Sequence, residues 1–315
     1  MTQPLALPAG PDLLGPLGHV RGAGDRPHPY AGHSAVLATM HHKEQAVAPA
    51  FAQALGLKLV ATTGVDTDAL GTFSGEIPRC GTMLETALAK ARLGLRASGL
   101  RLAIASEGSF GPHPEIPFLA AGIELLVFVD ANSASGEDTE RVIYESRIVE
   151  RTNFAHRVTA PGDDIEAFLA QVGFPAHGLM VRPNAGNSLA ALRKGIVGRG
   201  HLDQAVADAA AASADGRARI ETDMRAHLNP TRMEMLARLA TQLALRVAAR
   251  CPACAAPGWG RIDTTPGLPC ELCGTPTEMI AAEIFGCSSC GERESRPRRD
   301  GLLNAPPGRC PECNP

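Results

Sequence analysis

The period of apolar and polar positions changes several times along the chain, and each change marks an element. Ala35-Val36-Leu37-Ala38-Thr39 is an unbroken apolar run suited to a buried strand. Val47, Phe51, Ala54 and Leu55 then recur at helical spacing, and Gly56 ends that helix. Leu57–Thr62 reads as a second strand, and residues 63–81, rich in Gly and Asp, as a loop. Met83–Ser98 predicts an amphipathic helix with Leu84, Leu88, Ala91 and Leu95 on one side. Leu100–Ala105 and Glu124–Asp130 read as buried strands. Arg141–Val149 reads as an edge strand, with Val142, Tyr144, Ser146 and Ile148 on one face. Asp163–Val172 predicts a helix and Leu179–Arg182 a short strand. Strands alternating with helices predict an α/β domain over residues 34–183. Residues 184–250 turn Ala-rich and predict a helical connector. Its last helix carries Leu236, Leu239, Leu243 and Val247 as a stripe, started by Asn229-Pro230 or by a Thr231…Glu234 capping box.

Composition adds what the pattern leaves out. Residues 1–33 hold six Pro and six Gly, and lack a charged segment followed by an apolar one. They are expected to form a disordered lead rather than a signal or transit peptide, which makes the cytoplasm the expected compartment. A chain of 315 residues exceeds what one core usually serves. No apolar run nears the roughly 20 residues of a bilayer span, so no membrane anchor is expected. A net charge of −3 and an aromatic content of 4% argue against a broad nucleic-acid footprint or a base-stacking platform.

Cysteine changes the picture most. Of nine cysteines, eight fall in four Cys-x-x-Cys pairs: Cys251/Cys254, Cys270/Cys273, Cys287/Cys290 and Cys310/Cys313. In a reducing compartment such pairs favour metal over disulfides, and two pairs make one tetrahedral four-thiolate zinc site. Residues 251–315 are therefore expected to form a small zinc-ribbon-like domain with two structural Zn²⁺ sites. The pairs can join sequentially, first with second and third with fourth, which is the preferred arrangement, or interleave. Too little apolar area is present here to fold without the ions. The tail has six Arg, no Lys and eight acids, a poor phosphate-binding surface before thiolate charge is added. Arg296, Arg298 and Arg299 form a small basic knot that a solvated loop explains equally well. Seven Arg against three acids in residues 217–250 read as the wet face of an amphipathic helix. Cys80 reads as a packed small residue.

Candidate chemistry lies in three earlier segments. Thr39-Met40-His41-His42-Lys43 stands at a strand-to-helix junction, where helix N–H groups and a lysine make an anion site. Glu85-Thr86-Ala87-Leu88-Ala89-Lys90-Ala91 lies on the long helix. Ala105-Ser106-Glu107-Gly108-Ser109-Phe110-Gly111-Pro112-His113-Pro114 follows a buried strand, where α/β folds place site residues. Gly108-Ser109-Phe110-Gly111 is not a Gly-x-Ser-x-Gly elbow, and Pro112 obstructs the helix such an elbow needs. Gly64–Glu76 adds Asp66, Asp68 and Glu76 in a loop.

In order, these segments distantly resemble the nucleoside-triphosphate pyrophosphatases that clear non-standard nucleotides, with His41 where those enzymes carry asparagine. The resemblance implies a metal-dependent hydrolase of a phosphorylated or nucleotide substrate. Lys43, Glu85, Lys90 and Glu107 would be catalytic, and Thr39, His41, Thr86, Gly108, Ser109 and His113 would bind substrate. Glu85 and Glu107, with Asp130, would hold Mg²⁺ or Mn²⁺, while the two lysines neutralise phosphate. The run 105–114, the segment 71–76 and Met224–Pro230 leading into Cys251 resemble, over the whole chain, an uncharacterised bacterial family that couples an α/β domain to a cysteine-rich tail. Plainer readings stand beside these: Glu85 and Lys90 on a wet helix face, His113 stiffening a loop, His41 and His42 capping a helix. The rival function is a non-catalytic adaptor whose zinc tail grips protein or nucleic acid.

Overall fold

The structure, a computed structural model, describes residues 27–62, 64–71, 77–79, 81–113, 119–131, 140–149, 152–187, 189 and 191–315. Cys80, Pro114 and residues 72–76 lie outside these, as do residues 1–26 of the expected lead. Within the rest of that lead, Tyr30 is 1% exposed, packs on Phe128 and donates to Asp130 Oδ2 at 2.9 Å, so the packed unit begins before residue 34.

Strands β1 (Ser34–Ala38), β2 (Lys58–Ala61), β3 (Leu102–Pro112), β4 (Ala120–Asp130) and β5 (Arg141–Val149) form one sheet in the order β2-β1-β3-β4-β5. The first three are parallel and the last two antiparallel. Helix α1 (Glu44–Leu55) joins β1 to β2, and α2 (Met83–Ser98) joins β2 to β3. The two crossovers run in opposite directions across the sheet, so right-handed connections place their helices on opposite faces. Val47, Phe51 and Leu55 of α1 meet Leu37, Ile104, Leu126 and Phe128, and Leu239, Leu243 and Val247 of α5 (Pro230–Ala248) share that face. Ala87 and Ala91 of α2 meet Val36, Ala38, Ala103 and Val127 on the other. Each buried Leu or Phe here contributes about 1.5–3 kcal/mol. α2 spans the expected Met83–Ser98, and Gly56 closes α1 with φ of 64°.

Two expectations are corrected. The strand expected to end at Ala105 does not stop there: β3 runs on to Pro112, paired with β4 along its whole length from Leu102↔Asp130 to Pro112↔Ala120. Its polar, glycine-containing composition reads as loop, but an antiparallel partner satisfies its backbone. Residues 184–250 are likewise not a purely helical connector. They hold β8 (Arg193–Ile196), α4 (Arg199–Ala211), β9 (Ala218–Thr222) and then α5. β8 and β9 join β6 (His156–Thr159) and β7 (Leu179–Pro183) in a second, antiparallel sheet of order β6-β9-β7-β8. Phe168 and Leu169 of α3 (Glu166–Val172) and Leu202 and Val206 of α4 cover it. β9 alternates, with Ala218, Ile220 and Thr222 buried. Alanine and arginine on both sides conceal that short period-2 signal. This layer is inserted between β5 and α5, and α5 returns the chain to the first sheet. Asn229 starts α5, its side chain accepting from Arg232 N at 3.0 Å, with Pro230 at the first helical position.

The tail is a three-stranded antiparallel meander of β10 (Gly260–Pro266), β11 (Ile280–Gly286) and β12 (Arg293–Pro297). It rests on the first sheet and α5: Arg141 Nε donates to Ser289 Oγ at 3.0 Å, and Gly258 lies against Ile143. Among the described residues no helix is long and apolar enough to cross a membrane.

Candidate functional site

Parallel strands end together, so the segments that follow β1 and β3 meet at one edge of the sheet. A cleft of about 290 Å³ opens there, and its walls include Met40, His41, Lys43, Asp68, Arg79, Lys90, Ser106, Glu107, Gly108, Ser109 and Arg232. Alternation along β3 sends Ser106 toward the α1 and α5 face and Glu107 toward α2. Lys90 of α2 donates to Glu107 Oε1, and Arg79 donates to Glu107 Oε2 at 3.2 Å and to the Gly108 carbonyl at 2.8 Å. Lys43, the N-cap of α1, reaches Ser106 Oγ at 2.8 Å. Burial and the nearby Arg232 and Lys90 cations push the Lys43 ammonium down to about 7, against support from Glu124 and Glu107.

Arg232 closes the floor. Its Nε donates to Glu124 Oε1 at 2.5 Å and its Nη2 to Glu124 Oε2 at 3.3 Å, while Nη1 bonds the Met224 carbonyl. Phe110 stacks under the guanidinium, 5.2 Å from ring centre to Cζ. Glu124 stands opposite Gly108 in the β3–β4 register. A Cβ at Gly108 would lie 2.6 Å from Arg232 Nη2 and 3.0 Å from Glu124 Oε2, so glycine is what admits this pair. At the rim, His41 Nε2 lies 3.4 Å from Asp68 Oδ1 and holds that carboxyl below its usual range. The His41 ring stacks on His227 at 5.2 Å. Burial, and then the His41 and Arg225 charges, lower His227 from the ordinary histidine value. His42, whose ring meets His227 edge-on, takes φ of 54°, a left-handed conformation that costs a β-carbon residue about 1 kcal/mol or more.

The structure thus brings together Lys43, Lys90, Glu107, His41, Gly108 and Ser109 of the expected residues. Thr39 lies beside them, its Oγ1 accepting from His41 N at 3.2 Å. It separates the others. Glu85 is exposed at the start of α2, where its carboxylate accepts from Thr82 N and Thr82 Oγ1 in a capping box. Those hydrogen bonds hold its carboxyl below the usual range. Thr86 is fully buried on the inner side of α2, and His113, 7% exposed, follows the far tip of β3. Asp130 pairs with Leu102 at the opposite end of β3, and Tyr30, Arg101 and Arg141 surround it. Glu85, Glu107 and Asp130 therefore do not converge, and the donor set expected for Mg²⁺ or Mn²⁺ does not fit one ion. Three contributors escape sequence reasoning: Arg79 in a loop without periodicity, Glu124 inside an apparent apolar strand, and Arg232. Arg232 is one of the arginines assigned to a wet helix face, yet it is 3% exposed.

The tail supplies the metal-binding geometry. Two four-cysteine groups have every sulfur within 4.8 Å of the others: Cys251, Cys254, Cys287 and Cys290, and Cys270, Cys273, Cys310 and Cys313. Sulfur separations of 3.7 Å for Cys251–Cys290 and Cys254–Cys287, and of 3.6 Å for Cys273–Cys310, match the edges of a tetrahedron. Metal–sulfur bonds of about 2.3 Å give an edge of about 3.8 Å. All eight cysteines are free thiols, so both sets fit Zn²⁺. The pairing interleaves, which corrects the sequential arrangement. A meander explains it: Gly260 pairs with Gly286 and Ala282 with Pro297, so the pairs flanking alternate strand ends share an end of the sheet. Each turn folds as a knuckle, with Gly274 N donating to Cys270 O and Ser289 N to Cys287 Sγ. The basic knot is neutralised: Arg296 pairs with Glu294, Arg298 with Asp300 and Arg299 with Glu283.

A search of curated proteins finds no match. A family described as a domain of unknown function, DUF6671, matches residues 90–315, from Lys90 through the floor of the cleft to the last cysteine pair. That match covers most of the chain, and the protein belongs to this family.

Proposed function

We propose that the cleft binds a phosphorylated small molecule and that the chain hydrolyses it, with the cysteine tail acting as a zinc-closed ribbon that buttresses the fold. One observation carries the reading. Four cationic side chains, Lys43, Arg79, Lys90 and Arg232, line the cleft and face three carboxylates, Asp68 and Glu107 in its wall and Glu124 beneath Arg232. Lys90 and Arg79 share the single carboxylate Glu107 and present their further donors to the oxygens of a phosphate. Lys43, near 7, exchanges a proton at neutral pH, as a group that assists bond cleavage must. Arg296, Arg298 and Arg299, the tail's basic knot, are already paired with acids, which favours a small molecule over nucleic acid as the ligand.

The test is release of phosphate or pyrophosphate from a panel of nucleotides and phosphate monoesters, with and without divalent cations, alongside calorimetric binding of the same panel. Release from at least one member, reduced about 100-fold or more in Lys90→Met, is expected. The reading is overturned if no member is either bound or cleaved.

A further inference from the structure

We propose that Ser106 is a nucleophile and Lys43 its general base, so that the cleft works through a covalent seryl intermediate. This rests on the reading of the cleft as a phosphate site and specifies how the bond is broken.

Ser106 and Lys43 are 63 positions apart in sequence and are joined because β1 and β3 are parallel neighbours, with Ala38 beside Ala105. Lys43 Nζ stands 2.8 Å from Ser106 Oγ, both side chains are buried at 6% and 2% exposure, and both line the cleft. A surface lysine needs no explanation; a lysine sunk against a neutral hydroxyl does. The nearest carboxylates are engaged elsewhere, Glu107 by Lys90 and Arg79 and Glu124 by Arg232. The charged groups facing Lys43 are Arg232 from α5, Lys90 from α2, Glu107 from β3, Glu124 from β4 and, in the loop across the cleft, Asp68. With burial they hold it near 7, so a large share of the amine is neutral at physiological pH and its lone pair is free to accept the serine proton. Hydroxyl, amine and substrate cavity are the parts of a serine–lysine catalyst, which needs no Gly-x-Ser-x-Gly elbow.

The chemistry balances with water alone. Lys43 Nζ takes the Ser106 proton as the Oγ–P bond forms and the P–O bond to the leaving group breaks. The Lys43 ammonium returns that proton to the leaving oxygen. Water then attacks phosphorus, Lys43 accepts its proton, the Oγ–P bond breaks and the proton passes back to Oγ. One water is consumed, and an alcohol or nucleotide and a phosphate leave. Arg79 and Lys90 neutralise the non-bridging oxygens throughout.

A phosphonofluoridate ester tests the pair without needing the natural substrate, since Oγ–P forms as P–F breaks and fluoride leaves with the proton. On the full chain, peptide mass mapping is expected to place the label on Ser106, at a rate that rises with pH through about 7. Lys43→Met should slow labelling about 100-fold or more. Ser106→Cys, which keeps the shape and offers a thiol, should be alkylated by iodoacetamide at position 106, more slowly once Lys43→Met is added. A folded wild-type chain that takes no label overturns the pair, and so does a Ser106→Ala chain that still releases phosphate at the wild-type rate. In the second case the phosphate reading survives. Label on Ser106 with no panel member either bound or cleaved keeps the pair and overturns the phosphate reading instead.

Discussion

The cysteine tail and the cleft place polar chemistry by opposite means. In the tail, ligands come two at a time from four short turns, and a seven-residue strand such as β10 or β11 carries the chain between turns. In the cleft, Lys43, Arg79, Lys90, Ser106, Glu124 and Arg232 come from six separate segments, joined only because strand ends and helix starts coincide. The first arrangement tolerates a poor apolar core, because metal bonds supply folding free energy. The second depends on a well-packed core to hold charges that burial disfavours. Loss of metal should therefore dismantle the tail, whereas loss of one cleft charge should damage stability by a smaller, graded amount.

The largest expected effect follows from that contrast. A strong chelator at neutral pH should release two zinc ions per chain, read with a chromogenic indicator, and should unfold the tail while the sheet signal of the α/β part persists. Structural zinc contributes about 10–16 kcal/mol at such sites. Cys254→Ser and Cys273→Ser should each cost one ion, from different sites. Next in size, Glu124→Ala should lower unfolding free energy in urea by about 3–5 kcal/mol, because it strands Arg232 in the core. The paired change Glu124→Leu with Arg232→Met should recover most of that loss, and a double change as costly as the sum would show the two to be independent.

A comparable effect, present only on the acid side, reports on Lys43. Its folded-state value is near 7 and its ordinary value 10.5, so between these the unfolded chain binds the extra proton. The cost to stability is full below pH 7 and fades as pH rises toward 10.5. Lys43→Met should accordingly be more stable than wild type at pH 6 to 7, with the difference shrinking on the alkaline side in parallel urea titrations. A gap that widens with pH would contradict the burial argument. Smallest of all, Thr82→Ala should cost about 1 kcal/mol through the lost cap of α2. Glu85→Ala should leave phosphate release unchanged, since its carboxylate serves the helix start and not the cleft.

Legibility in sequence follows the same divide. The eight ligands could be read directly, because a Cys-x-x-Cys spacing is itself the chelate geometry. Their partnership could not, because it depends on strand direction in β10–β12, which cysteine spacing does not encode. α2 and the strands that begin the first sheet were visible because each buries one periodic face for its whole length. The reach of β3 to Pro112 was hidden, since Ser106, Gly108 and Ser109 carry no strand preference and owe their conformation to β4. Arg232 was hidden for a related reason. Its position on α5 resembles any solvated arginine until Glu124, 108 residues earlier, is known to sit beneath it. Lys43, Lys90 and Glu107 surfaced through local motifs, and Glu85 misled because a capping box and a metal site favour the same glutamate at the head of a helix.

The interleaved pairing has a topological outcome. With both ions in place, each tetrahedron takes one pair from before β11 and one from after it. A protease that cuts between Cys273 and Cys287 leaves two fragments, and each of the two ions bridges them. A sequential arrangement would have put the same cut between two self-contained metal units. The nicked chain should consequently travel as one species under native conditions and separate only when the ions are withdrawn, so the meander turns two coordination spheres into a double lock across a broken backbone.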